Sequence, residues 1–359
     1  MTFDFIPLHF YTPLYHHIIL LVTLFIFIEL QLRGYTQNKY LGFFLLVFVV
    51  IYMGLRPISG MYFGDMGGYS YQFKMLKSGF PITNKKDILF RLFMQGCSKI
   101  MDVHTFFLVC AILYVVPLYI VSKKWFSSVW FYAFLMLVGS FSFWSYGTNG
   151  IRNGIASSFL LLAMSNEKTI FRLLWIALSV GFHKAMALPA MGFIITWFYN
   201  VPKTFFYFWL AAIPLSLAFP GFWENMLASM VDDDRTAAYL TEENIYDDQF
   251  RYVGFRWDFL LYSAIGVLAG WYYLFKRKLK DVNYYRLFNT FLFTNAIWIL
   301  VIRANFSNRF AYLSWFMMAL VVVYPWLKAK FEKGQPQKFA YTIFGYYLFT
   351  YIMNVFVYG

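Results

Sequence analysis

The sequence predicts an all-α integral membrane protein, a polytopic bundle of about 11 transmembrane helices forming a single membrane domain over 1–359. Three observations predict it. Of 359 residues 61% are hydrophobic and only 13% are charged, about half the charged share of a soluble domain. Apolar runs close to the roughly 20 residues that a spanning helix needs recur along the chain. Aromatic residues make up 24% of the total, which suits lipid-facing surfaces and interfacial belts.

The apolar runs are, in order, 17–33, 40–55, 104–121, 127–146, 151–165, 203–220, 258–275, 284–302, 309–327 and 338–357. The stretch 170–199 is also apolar but is interrupted by Gly181, His183, Lys184 and Pro189. It reads as two short helices meeting near His183, with one long bent helix as the alternative. Broken helices inside a membrane are tolerated only where they line a cavity or are buried in protein. Two long polar segments remain, 56–103 and 221–257. The first holds Gly-rich turns and two amphipathic stretches, and the second holds most of the acids. The N-terminus lacks a charged n-region and a small-residue cleavage site, so no removable signal peptide is expected.

Charge sets the expected orientation. One alternate set of short loops carries 16 Lys and Arg, from Arg33 and Lys39 through Lys123, Lys124, Lys168, Arg172, Lys203 and the 276–286 group to Lys328, Lys330, Lys333 and Lys338. The opposite short loops carry 4: Arg152, Lys184, Arg303 and Arg309. The positive-inside rule puts the richer set in the cytoplasm, so both long segments and both termini face outward. This alternation needs 170–199 to cross twice. The net charge of +13 is then a topology signal, and without an aromatic-interleaved basic stripe no nucleic-acid partner is expected. Eight of the 12 arginines fall on the outer side. Arginine offers a rigid fork for phosphate oxygens, so that face looks built for an anion.

Five constellations there could carry chemistry. Arg56 and then Gly64, Asp65 and Tyr69 follow the second span. Asp65 and Tyr69 could hold sugar hydroxyls, or Asp65 could be a base, against a reading of the same residues as a turn with a capping Asp. Arg152 opens a span at Asn149-Gly150-Ile151-Arg152-Asn153-Gly154. A cation at the positive end of a helix is unfavourable without an anion beside it, which favours a bound phosphate over an arginine that merely reaches the interface. His183, at the break in 170–199, could be a general base or a phosphate ligand. Arg303 and Arg309 close adjacent spans, with Tyr312 one turn beyond Asn308, and could clamp a diphosphate. In the acidic segment Asp232 and Asp234 form a D-x-D that reads more readily as a solvated face than as a metal site. Arg251 and Arg256, at the return to the membrane, are the better ligand candidates. The two cysteines, Cys97 and Cys110, imply neither disulfide nor metal. Absence of the phosphate-loop, zinc-protease and serine-hydrolase signatures disfavours those chemistries.

Four pieces in order resemble a known family: Gly54-Leu55-Arg56 with Gly64-Asp65 and Tyr69; Gly150-Ile151-Arg152-Asn153-Gly154-Ile155-Ala156; Phe182-His183-Lys184-Ala185; and Arg309-Phe310-Ala311-Tyr312. The chain resembles the EpsG-like branch of the Wzy-type bacterial polysaccharide polymerases. It departs from the family at Asn153, where Gln is typical, and at Lys184 after the His. The resemblance implies a glycosyltransferase of the bacterial cytoplasmic membrane that joins oligosaccharide repeat units carried on undecaprenyl diphosphate, at an active site facing the periplasm or exterior. The growing chain would leave its lipid diphosphate for the end sugar of an incoming unit. On this reading Arg152, Arg303 and Arg309, with Arg56 in addition, stabilise the diphosphate, and His183 or Asp65 is the acceptor base. Diphosphate is already a good leaving group, so neither cofactor nor metal is required. The partners implied are the lipid-linked oligosaccharide, membrane lipid, and a chain-length regulator or flippase. The alternatives are a polyprenyl-monophosphate-dependent GT-C-type glycosyltransferase with Asp65 as its acid, and a lipid-oligosaccharide flippase or exporter without chemistry. A flippase should show pseudo-repeated halves, which the sequence lacks.

Overall fold

The structure is a computed structural model that describes residues 2–82, 86–230 and 254–357. Among them every regular element is helical and no strand is present. The chain divides into two compact units, Met1–Ala187 with Trp326–Gly359, and Leu188–Pro325.

The first unit is built around α9 (Ile151–Ser165), which is buried along almost its whole length. Helices α6 (Val103–Phe126), α8 (Phe141–Thr148) and α10 (Thr169–Phe182) pack on it. Small polar side chains make these approaches close. Ser158 donates to the Tyr114 carbonyl at 2.7 Å and Ser179 to the Ala156 carbonyl at 2.6 Å, the usual device where no hydrophobic effect drives helix association. On the flanks α2 (Lys39–Gly54) packs on α6, and α1 (Leu8–Arg33) packs on α17 (Gln335–Ile352). The apolar stretch Val103–Val138 reverses at Ser127, which has φ 46°, so α7 (Trp130–Val138) folds back along α6. The Trp130 ring lies 4.8 Å from that of Tyr119, residues that a straight helix would hold about 16 Å apart. The separate runs expected at 104–121 and 127–146 are therefore two helices. The second is itself broken at Gly139-Ser140 into α7 and α8.

In the second unit α12 (Pro202–Ala218) packs on α15 (Val282–Leu300). Asn295 ties four helices there. It accepts from Trp209 Nε1 at 2.7 Å and donates to Ser263 and Ser314 at 3.0 and 2.8 Å. Ser263 lies in α14 (Trp257–Trp271) and Ser314 in α16 (Ser307–Lys328). A buried amide whose groups are satisfied in this way locks helix positions rather than weakening them.

Loops sort as the charge pattern demands. At one end of the first unit Lys124 reaches Asn166 at 2.8 Å, the Thr36 amide reaches the Tyr132 hydroxyl at 2.9 Å, and Tyr35 reaches the Trp326 carbonyl at 3.1 Å. These are the lysine-rich connections. At the other end the Phe3 amide meets the Leu55 carbonyl at 3.2 Å, and the Asp65 amide meets Asn149 at 2.8 Å. The second unit repeats the division. Asn289 bonds Asn200 and Tyr324 bonds Asp281 at its lysine-rich end. At the other end Trp223, Leu227, Ala228 and Phe310 pack around Val301 and Ala304.

The span count differs from expectation. Among the described residues five helical stretches are long and apolar enough to cross a membrane, or six if Pro202–Ala218 and Phe222–Ser229, bent by 108°, are one span. About eleven full-length spans are not reached. Hydropathy registers apolar runs but not where they stop being helix. Lys39–Gly54, Thr169–Phe182 and Lys184–Phe198 are apolar but short, and α15 carries Asn283, Arg286, Asn289 and Asn295. A 16-residue helix is about 24 Å long, below the roughly 30 Å of a hydrocarbon core. The two polar segments are also less loop-like than expected. Segment 56–103 folds into α3 (Gly60–Phe63), α4 (Met66–Lys77) and α5 (Ile88–Ile100), and 221–257 begins with α13 (Phe222–Met230). The acids Asp232 and Asp234, and Arg251, lie outside the described residues.

Candidate active site

At the end of the first unit away from its lysine-rich loops, four side chains from distant parts of the chain converge on one another. Their hub is Asp87, which the sequence reading did not single out. Asp87 immediately precedes α5 in the left-handed region, with φ 49°. That backbone aims its carboxylate sideways instead of back onto its own helix, and no cap bond forms. Oδ2 accepts from Arg152 Nη1 at 2.5 Å and lies 3.3 Å from His183 Nδ1. Oδ1 accepts from the Lys184 backbone amide at 2.8 Å. Burial acts to raise the Asp87 pKa, but the hydrogen bond and charge of His183, the charge of Arg152 and the Lys184 amide together outweigh it and hold the group at about 2. It is therefore ionised at neutral pH.

Each partner is placed by a local feature. Arg152 occupies the first turn of α9. The approach is tight because Gly154 lies on the end of α8, where a Cβ would stand 2.8 Å from the Tyr146 backbone oxygen. The Arg152 Nε donates to the Tyr69 hydroxyl at 2.9 Å, and its guanidinium carbon sits 5.6 Å from that ring's centre. Its Nη2 has no hydrogen-bond partner among the described residues. The helix-dipole argument required an anion beside Arg152. The structure supplies one from the protein, Asp87, so that argument alone no longer calls for a bound phosphate. His183 ends α10 in an extended conformation, φ −152° and ψ 112°, before a 3-10 turn at Lys184–Met186 and then α11 (Ala187–Phe198). This is the helix break expected within 170–199. The His183 Nε2 has no partner among the described residues, and the side chain is 20% exposed.

Asp65 lies on the same face. The preceding Gly64, φ 53°, has no room for a Cβ, which would fall 2.4 Å from Asn149 Oδ1, the atom that accepts from the Asp65 amide. The Asp65 carboxylate caps no helix, so the capping role weighed for it is not seen. It is exposed and acts electrostatically on both Tyr69 and Arg152. Arg91 braces the group, donating to the Lys86 carbonyl at 2.8 Å.

Arg56 is placed differently from expectation. It is buried, with its guanidinium between the rings of Phe63 and Phe107. It donates to the Met53 carbonyl and, at 3.0 Å, to that of Thr148. Burial lowers its pKa to about 10. Its bonds close the C-terminal ends of α2 and α8, where cations are favoured, in place of the expected substrate contact.

The remaining site residues named from sequence belong to the second unit. Arg303 donates to the Ser216 carbonyl at 2.7 Å and sits 5.1 Å from the centre of the Phe255 ring. Arg256 is held by Asp258 in a two-point bond of 3.0 and 2.7 Å. Arg309 rests on the ring of Phe306 at 4.8 Å, and Tyr312 on Trp315 at 5.4 Å. No group of three or more His, Cys, Asp or Glu side chains gathers as a metal site among the described residues.

Apolar helices with loops sorted by charge, and a buried carboxylate shared by an arginine and a histidine, define a polytopic membrane protein with a polar centre at one end of its first unit. The chain belongs to the EpsG family, the EpsG-like polysaccharide polymerases, whose family model matches residues 39–359. No curated protein and no solved structure matches it. Membership supports a polysaccharide polymerase-like role.

Proposed function

We propose that this protein is a polysaccharide polymerase. It transfers a growing glycan from undecaprenyl diphosphate to the end sugar of a lipid-linked repeat unit, on the outer side of the bacterial cytoplasmic membrane. The observation that carries the reading is the pairing of His183 and Arg152 on one carboxylate, at the end away from the lysine-rich loops. It sets a proton acceptor beside a fixed cation, which a displacement from diphosphate needs. The acceptor hydroxyl oxygen forms a bond to the anomeric carbon as the bond from that carbon to the diphosphate oxygen breaks. The hydroxyl proton passes to His183, and charge building on the diphosphate meets the donors that Arg152 has left over. Asp65, exposed on the same side, and the Tyr69 hydroxyl that Arg152 engages stand as proposed ligands for sugar hydroxyls. Arg251, Arg256, Arg303, Arg309 and Tyr312 stand as proposed substrate ligands, to be tested singly.

The test uses purified protein in liposomes with a repeat unit on lipid diphosphate. A ladder of polymer lengths is expected. A polymer built only from a monophosphate-linked sugar would transfer the reading to the rival glycosyltransferase, with exposed Asp65 as its acid. In cells, His183→Ala is expected to accumulate single repeat units on the outer leaflet, and units trapped on the inner leaflet would mark a flippase. Orientation is checked by labelling from outside, which should reach Met61→Cys and miss Lys278→Cys. The reverse pattern would place the centre in the cytoplasm and overturn the proposal.

A further inference from the structure

We propose that Asp87 is a positioning residue that fixes the His183 proton on Nδ1, leaves Nε2 as the proton acceptor, and holds the Arg152 fork beside it. The inference rests on the reading that His183 takes the acceptor's proton.

The two carboxylate oxygens are not equivalent. Oδ1 is occupied by the Lys184 amide at 2.8 Å. Oδ2 faces both Arg152 Nη1, at 2.5 Å, and His183 Nδ1, at 3.3 Å. An ionised carboxylate only accepts hydrogen bonds, so the nitrogen facing it carries the proton. A neutral imidazole then has its lone pair on Nε2, the atom without a partner among the described residues. The Lys184 amide belongs to the residue after His183, so one carboxylate grips both the ring and the backbone beside it. His183 is the extended residue between α10 and the 3-10 turn, its backbone held by the Ser179 carbonyl and the Met186 amide, and the Asp87 grip adds a hold on the ring itself.

The asymmetry makes the consequence sharp. In Asp87→Asn the side chain has one oxygen and one NH2 group. The Lys184 amide requires the oxygen at the Oδ1 position. The NH2 group is thereby turned toward Arg152 and His183. It opposes a donor on Arg152, and on His183 it demands an acceptor at Nδ1. The imidazole proton moves to Nε2, and the base is lost although the shape is kept. Lys184→Pro removes the amide hydrogen, and a residue before proline prefers the extended conformation that His183 already has. In the double variant Asp87→Asn with Lys184→Pro the amide is free to turn its oxygen to His183.

The experiment is 15N NMR of histidine-labelled protein in lipid nanodiscs at neutral pH, with His183→Gln identifying the signal. The wild type is expected to show the Nδ1–H form, Asp87→Asn the Nε2–H form, and the double variant a return toward Nδ1–H. Polymer formation by Asp87→Asn is expected to fall about 100-fold or more, as a fall in kcat with KM little changed. An Nε2–H wild type, or a tautomer that Asp87→Asn leaves unmoved, would overturn the proposal. If Asp87→Asn does not fold, the wild-type signal alone decides the tautomer. Normal polymer from His183→Gln with the tautomers as stated would remove the base assignment and leave the Asp87 geometry standing, so the two failures read differently.

Discussion

Arg152 in the first unit and Arg256 in the second are held in opposite ways. In the second, Arg256 is satisfied by Asp258 two residues away, and Arg309 rests on Phe306 three residues away. In the first, Arg152 is held by Tyr69 and Asp87, 83 and 65 residues earlier in the chain, and Asp87 is shared with His183, 96 residues on. A locally paired arginine survives small shifts of neighbouring helices. One held between Tyr69 of α4 and Asp87 before α5 is right only when both are placed, so the Arg152 centre is a readout of the fold and the Arg256–Asp258 pair is not.

Substitutions can break this contrast. The largest effect is expected from Arg152→Lys, a loss of about 100-fold in polymer formation, because an ammonium replaces a planar fork that serves Tyr69 and Asp87 together. Arg256→Lys should change the rate only a few-fold, measured in the same liposome assay. Equal losses would erase the difference between the two arginines. Next is Gly154→Val, which pushes a side chain into the Tyr146 backbone. It should cost about 1–3 kcal/mol of stability, read as a lower Tm in detergent, with activity falling further than Tm alone explains. Tyr69→Phe removes one bond to a charged group, worth about 1.5–3 kcal/mol, and should lower Tm by several degrees and slow polymer formation about 10-fold. The smallest effect concerns pH. Because the Asp87 pKa is depressed, its ionised form stabilises the fold above the unfolded value of about 3.9, and that contribution is lost as pH falls through about 2. The Tm deficit of Asp87→Asn should therefore be full above pH 4 and shrink toward pH 2. A deficit that stays constant would mean that Asp87 acts by shape alone.

Much of this was legible in the chain. The Lys and Arg counts sorted the loops, and loops of each set do meet one another within each unit. Gly181-Phe182-His183-Lys184 marked the helix break, and Arg152 was placed at the start of its helix. Asp87 was not legible. It is a lone acid after two lysines in a polar segment, its backbone is left-handed, and contacts across 65 and 96 residues leave no periodic trace. Without Asp87 the helix-dipole argument points to an external anion beside Arg152, whereas the protein carries its own. The place of Arg56 is hidden for a related reason: an arginine after a span reads as a ligand group, and only contact with Thr148, 92 residues on, shows what it closes.

Arg56 also has a consequence for biogenesis. Its two carbonyl partners are separated in synthesis by almost a hundred residues, Met53 being made just before it and Thr148 long after. A nascent chain that has emerged only as far as α7 carries this guanidinium with half its hydrogen bonds unmade, and it cannot enter the apolar sandwich of Phe63 and Phe107 without a cost in desolvation. Seating of Arg56 is therefore complete only once α8 has brought Thr148 to it.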